Sequence, residues 1–286
     1  MSLLTAMTAG VHPPKKLPEF LQGAWLRAKF FSLIVPIGLL VSWQLAVQYK
    51  LLPAAIIPAP SQVLESWIKW AFGSPSGNFN SYSGSWGSSV RASLWRVAQG
   101  YAIAVLIGVP TGVLIGRSQF VRRLIDPMIQ GLRPVPITAW LPLAIAVFGI
   151  HDLSALALIG LGAFYPIVIS TTQGARGVPQ NLMRVGAMMG MNWWQSARMI
   201  VLPSAAPAIF TGLRLGLGIA WTALVVAEMV AVKSGLGFVL WDAYYIGRMD
   251  IVLGDMVSIG IIGLVSDQVL VAVEARILRW RTAHAS

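Results

Sequence analysis

The chain has 286 residues, 56% of them hydrophobic and only 11% charged, with a mean hydropathy of +0.71; soluble domains carry about 25% charged residues. That excess of apolar surface excludes a single water-soluble core and points to an all-α protein with several membrane-crossing helices. The net charge of +11 does not signal nucleic acid, because the basic residues flank apolar segments, and the lack of cysteine excludes disulfides, thiolate nucleophiles and cysteine-bound metals.

A crossing helix needs roughly 20 mostly apolar residues. Residues 1–29 hold two prolines followed by Lys15 and Lys16, an order wrong for a cleaved signal peptide, and read as an N-terminal tail. The first span is expected over about 30–49, and an external connection follows over 50–88. In that connection "PSQVLESWIKW" reads as a short amphipathic helix, with Ser61 as N-cap and Val63, Leu64, Trp67 and Ile68 on one face. The Gly/Ser/Asn-rich stretch around 73–89 reads as a loop. Five further spans are expected over about 95–116, 134–150, 153–173, 205–231 and 251–275, and residues 281–286 form a short tail. Gly108, Gly112 and Gly116, like Gly212 and Gly216, recur every four residues, which lets helix backbones approach closely in lipid. Pro36, Pro110, Pro142 and Pro166 are potential kinks.

The basic residues divide unevenly between the two sets of connections. Fourteen of the 21 lie with Lys15, Arg117, Arg122, Arg123, Arg133, Arg184 and Arg198; six lie with Lys50, Arg91, Arg96 and Arg248; Arg214 falls inside a span. The richer side is expected to be cytoplasmic, which puts both termini inside.

Catalytic signatures are absent. None of the six lysines follows a glycine, so no phosphate-binding loop exists; the three histidines are scattered, and no G-x-S-x-G or G-x-G-x-x-G occurs. The chain therefore reads as a non-enzyme that binds no cofactor or metal itself.

One long polar segment interrupts the apolar run, "QNLMRVGAMMGMNWWQSARMIVLP". It can form two short helices joined at Gly190. Trp193 and Trp194 supply buried area at small entropic cost, as interface anchors do, and Arg184 and Arg198 offer charge to a partner's carboxylates or to lipid phosphates. Without further information the same segment would serve as a plain interfacial helix with its tryptophans at headgroup depth.

From Gly190 the spacing is glycine, nine residues, Ile200, any residue, Leu202, Pro203. This G-x9-I-x-L-P pattern resembles the coupling loop of binding-protein-dependent ABC importer permeases. In that family the loop usually begins E-A-A, where this chain has Arg184, Val185 and Gly186. The likeness runs from about Ser89 to Trp280, so a permease domain is expected over 89–280 with its coupling loop at about 180–203. Gly212-Leu213-Arg214, Ala220-Trp221 and Ala227-Glu228 resemble the nitrate/sulfonate/taurine/bicarbonate branch. The resemblance implies a type I importer fold in the bacterial inner membrane. It also implies a second permease, as a homodimer or pseudo-dimer, two cytoplasmic ATPase subunits that bind ATP and Mg, and an external solute-binding protein.

A small anion needs hydrogen-bond donors on its path rather than a tight countercharge. Thr138, Trp140, Trp221 and Thr222 are mid-span donors, and helix starts at Pro134 and Pro136 would add N–H groups. Arg214 either attracts an anion or snorkels to headgroups. Glu228 would repel an anion and suits gating or packing, and Asp255 and Asp267 suit structural pairs with Arg91 or Arg96. The 235–250 segment, with glycines at both ends, is either an external gate or an aromatic belt. A gradient-driven secondary transporter would predict inverted repeats and discontinuous spans with clustered carboxylates, neither of which is visible in the sequence. A membrane scaffold without a path is the third reading.

Overall fold

The computed structural model describes residues 19–53, 56–73 and 82–279, and the described elements are helices joined by turns. Lys15, Lys16, residues 74–81 of the external connection, Arg281 and the 281–286 tail lie outside the described residues.

Residues 1–62 and 63–286 form two compact units. In the first, α1 spans Glu19–Gln48. The Gln44 amide clasps Ser61, donating to its Oγ and accepting from its N–H, both at 3.3 Å. The short amphipathic helix α2 is Pro60–Phe72. Ser61 is therefore not its N-cap. Proline opens the helix, where its missing N–H costs nothing, and the Ala59 N–H donates to Gln62 Oε1 at 3.1 Å.

The second unit is a bundle built around α6 (Asp152–Arg176), with α3 (Trp86–Arg117) on one side and α9 (Leu202–Val230) on another. On α6, Ala155, Ile159, Ala163, Ile167, Thr171 and Ala175 recur every four residues and are all fully buried. The glycines predicted to permit close approach do so against this one helix. A methyl group on Gly112 would lie 2.6 Å from Thr171 Cβ, and one on Gly116 would lie 2.6 Å from Ala175 Cβ. Across the bundle, a methyl on Gly212 would lie 2.6 Å from Ser170 Cβ. The pairings rise together along α3 and α6, so those helices are parallel; α9 runs antiparallel to both. In lipid, where apolar contact alone gives no driving force, this backbone proximity is what holds helices together.

Parallel neighbours need a connection that returns across the bundle. It is made by α4 (Gln119–Leu132), a 3-10 turn (Ile137–Trp140) and α5 (Leu141–Phe148). The pair is bent by 97°, the shape of a broken span or of a re-entrant loop. This corrects one expectation: the third span is not a continuous helix over 134–150. Pro134 and Pro136 deny the backbone the N–H groups that would carry a helix through.

After α6 come α7 (Gln180–Met188) and α8 (Trp193–Ser196), then α9, α10 (Leu236–Tyr245) and α11 (Met249–Ile277). Among the described residues four helices are long and apolar enough to cross a membrane: α3, α6, α11 and the unbroken helix Trp193–Val230. The bent pair makes a fifth if it is one span, and the described apolar part of α1, Ile34–Gln48, is shorter. The α2 helix buries Val63 and Trp70, while Leu64 and Ile68, expected on the same inner face as Val63, are exposed. Trp67 donates its indole N–H to Ser258 on α11 at 2.8 Å.

Candidate functional site

The segment from Gln180 to Pro203 is shaped by two local devices. First, α7 ends in a Schellman turn: the Met191 N–H donates to Gly186 O and the Gly190 N–H to Ala187 O, both at 3.0 Å, with Gly190 at φ +71°. Second, α8 starts with a capping box: the Gln195 N–H donates to Asn192 Oδ1 at 2.8 Å, and the Asn192 N–H to Gln195 Oε1 at 2.9 Å. The reversal at Gly190 and the helix start at Asn192 thus carry their own hydrogen bonds and need no partner to form.

One side of this segment is anchored. Ala197 and Val201 are buried, and Val201 packs with Val113, Ala175 and Val178 alongside Met183 and Ile200. The Ile200 Cδ1 atom lies 2.6 Å from where a Gly186 methyl would be, so the departure from the E-A-A start makes room for Ile200. The other side is bare: Met188, Met189, Trp193, Trp194 and Met199 are all more than half exposed. The two indoles sit 6.3 Å apart between ring centres. Arg184 and Arg198 are exposed and form no ion pair among the described residues.

The second short helix does not stop at Pro203, as expected, but runs on into the span. A π turn at Ala197–Val201 carries the Leu202 N–H to Ala197 O, five residues back. Proline lacks an N–H and its ring crowds the carbonyl four residues earlier; the wider turn absorbs both. Residues Trp193 to Val230 are therefore one helix of 38 residues.

At the opposite end, Glu228 is the centre of a buried hub. Its carboxylate accepts from Ser93 Oγ at 2.9 Å, Arg96 Nη1 at 2.8 Å and the Gly237 N–H at 2.9 Å. Arg96 also donates to Asp152 Oδ1 at 2.8 Å, to Ser234 O at 2.9 Å and to Ser234 Oγ at 2.6 Å. Four elements, α3, α6, α9 and the turn into α10, meet here. Gly235, at φ +109°, passes so close that a methyl on it would lie 2.2 Å from Glu228 Oε1. The sequence expectation paired Asp255 and Asp267 with Arg91 or Arg96, and the structure corrects it. Arg96 takes Glu228 and Asp152, Asp267 takes Arg214 from α9 at 2.9 Å, and Asp255 is buried with no hydrogen-bond partner among the described residues.

The residues expected on a path are partly brought together. Ile137 of the 3-10 turn packs beside Ile219 and Ala223 at Gly162, in the same part of α9 as Trp221 and Thr222, while Trp140 packs on Ala155, Leu158, Ala227 and Val232 toward the C-terminal end of that helix. Thr138 and Thr222 are exposed; Trp221 is buried and donates to Ser266 Oγ at 2.9 Å. The Trp140 indole N–H is buried without a hydrogen-bond partner among the described residues. Arg214 stands apart from these, nearer the α7–α8 end, in a two-bonded pair with Asp267. Among the described residues no cluster of His, Asp or Glu could hold a metal.

Sequence reasoning missed the Ser93–Arg96–Glu228 hub, although an Arg and a Glu inside apolar windows were a usable signal. Arg133, counted among the cytoplasmic residues, is the C-cap of α4, at the bend between α4 and the 3-10 turn.

Comparison with known proteins matches residues 104–279 to the family described as the inner membrane component of binding-protein-dependent transport systems. The nitrate import permease protein of Synechocystis is 35% identical over 96% of this chain and 98% of its own length. The taurine transport system permease protein of Escherichia coli is 36% identical over 85% of this chain and 86% of its own. Among solved structures, the inward-facing MetNI methionine ABC transporter aligns at a TM-score of 0.56 with 19% identity, covering 68% of this chain and 94% of that one, a likeness of fold.

Proposed function

This chain belongs to the family of inner-membrane components of binding-protein-dependent transport systems, and on that premise we propose that it forms the path by which a small anion such as nitrate, bicarbonate or a sulfonate is imported. As a multi-pass permease component it transports rather than catalyses. The ATP and Mg of the cycle sit in two ATPase subunits that dock on the 180–203 segment from the cytoplasm. An external solute-binding protein delivers the anion, and a second copy of the chain completes the path. The anion class rests on the relatives that import nitrate and taurine.

The observation that carries the coupling role is the join at Trp193. The bare indoles stand on the first turn of the same helix that crosses the bundle and ends at the Glu228 hub. Force applied to Trp193 and Trp194 acts directly on a span rather than on a hinged loop. Arg184 and Arg198 flank the indoles with unpaired positive charge, which suits an acidic rim on the ATPase. The apolar face of α11, with Met256, Val257, Ile261 and Leu264 exposed, suits lipid or the second copy. With the 180–203 end cytoplasmic, the hub and α10 lie at the external end.

The test is co-purification of the chain with its ATPase subunits, with and without Trp193→Ala and Trp194→Ala together. Two buried indole anchors contribute about 2 kcal/mol each, so the double variant is expected to weaken association at least tenfold. Undiminished association refutes the coupling role.

A further inference from the structure

The break between α4 and α5 puts a positive charge level with the middle of α6. Ile129 of α4 packs with Val168, Phe164 and Tyr165 of α6, and Ile137, just past the break, lies 3.3 Å from a methyl position on Gly162. Residues 133–136 therefore lie beside Gly162–Val168, the middle of the 25-residue helix α6. Arg133 occupies that break, exposed on the single chain, with no ion pair or side-chain hydrogen bond among the described residues.

Two arginines of the long helices are, by contrast, tightly paired. Arg214 is held by both oxygens of Asp267, and Arg96 is surrounded by Glu228, Asp152 and Ser234. The one acid on α4, Asp126, is taken by Arg176 at 3.1 Å. An unpaired guanidinium at mid-membrane depth is costly unless it faces water or an anion. The 3-10 turn after the break carries two donors and no acid, the exposed Thr138 hydroxyl and the Trp140 indole N–H, which has no hydrogen-bond partner among the described residues.

We propose that Arg133 is the anion-contacting residue of the path, a mid-bundle guanidinium that offers a permeating oxyanion a brief countercharge, with the Thr138 hydroxyl completing its hydrogen bonds. The inference rests on the small-anion reading above and deepens it. One guanidinium, rather than a ring of fixed charges, matches what passage requires: attraction enough to enter, and release on the next step. Arg214 cannot take this role while Asp267 neutralises it.

The experiment is uptake by the assembled transporter, with its ATPase subunits and binding protein, in proteoliposomes supplied with nitrate, bicarbonate or ethanesulfonate. Variants are Arg133→Gln and Arg133→Lys. A charge-assisted contact contributes about 1.5–3 kcal/mol, so R133Q is expected to lower uptake at least tenfold while the transporter still assembles. R133K, which keeps the charge, is expected to retain most of the uptake. Wild-type uptake in R133Q overturns the proposal. So does equal loss in R133K and R133Q, or loss of assembly in R133Q, since either makes Arg133 a packing residue. A wild-type transporter that moves none of the three anions refutes the small-anion reading itself, an outcome distinct from failure of R133Q alone.

Discussion

Replacing Arg96 with Met tests what holds the hub together. The side chain keeps an unbranched apolar stem but loses its charge and the four hydrogen bonds to Glu228, Asp152 and Ser234. The Glu228 carboxylate, with a side chain 0% exposed, is left with Ser93 and the Gly237 N–H alone. Removing one partner of a buried ion pair costs about 3–5 kcal/mol, because the stranded charge keeps its desolvation penalty. Asp152 adds little to that figure, since its side chain is 66% exposed and water can take over from the guanidinium. Adding Glu228→Gln to R96M removes the stranded charge while the amide oxygen still accepts from Ser93, so the double variant is expected to recover about half the loss. Unfolding in mixed micelles, followed by tryptophan fluorescence, supplies the four corners of the cycle. An R96M cost below about 1 kcal/mol, or a double variant no more stable than the sum of the singles, would mean that the pair is not what secures the hub.

Two further predictions concern packing and ionisation. Gly112→Leu is expected to destabilise the bundle by about 3 kcal/mol or more, because a side chain there meets the Val168 carbonyl 2.9 Å away, and backbone cannot step aside as a rotamer can; unfolding at or near the wild-type midpoint would contradict the close crossing of α3 and α6. Burial, and then the Asp242 carboxylate 2.5 Å away, push the Tyr82 phenol above its ordinary range. Its folded pKa thus exceeds the unfolded one, so the stability is intact below about pH 10 and declines as pH rises beyond it, where the unfolded chain ionises first. Tyr82→Phe is expected to flatten that alkaline decline in thermal melts, and an unchanged decline would show that other groups cause it.

Much of the fold was readable because lipid imposes one rule, that a span be long and apolar. The helices α3, α6, α9 and α11 follow it within a few residues except at the N-terminus of α3, where Ser88, Ser89 and Arg91 disguise the first turns as loop. The bent pair escaped because α4 mixes Arg122, Arg123 and Asp126 with its apolar residues and so reads as a surface connection. Only its packing on Val168 and Phe164 shows otherwise. The glycine spacing announced close helix approach but could not name the partner, which is α6 on both counts. Ion-pair partners were illegible for a plain reason: Arg96 and Glu228 are 132 residues apart, and any of several acids could have faced the arginine. The 180–203 segment was legible through Gly190 and Asn192, whose turn and cap chemistry is local. The π turn was not, because it is the response of a continuing helix to Pro203.

The unbroken helix from Trp193 to Val230 crosses α6 at Gly212 and Gly216, where the two backbones nearly touch. The contact continues on both sides of that point, for Gly174 of α6 meets Ala205 and Ala208, and Gly162 meets Ile219 and Ala223. The helix is therefore a rod of about 52 Å from Trp193 to Glu228, at 1.5 Å per residue, clamped to α6 along its middle. The bare indoles and the Arg96–Glu228 tie are its two ends.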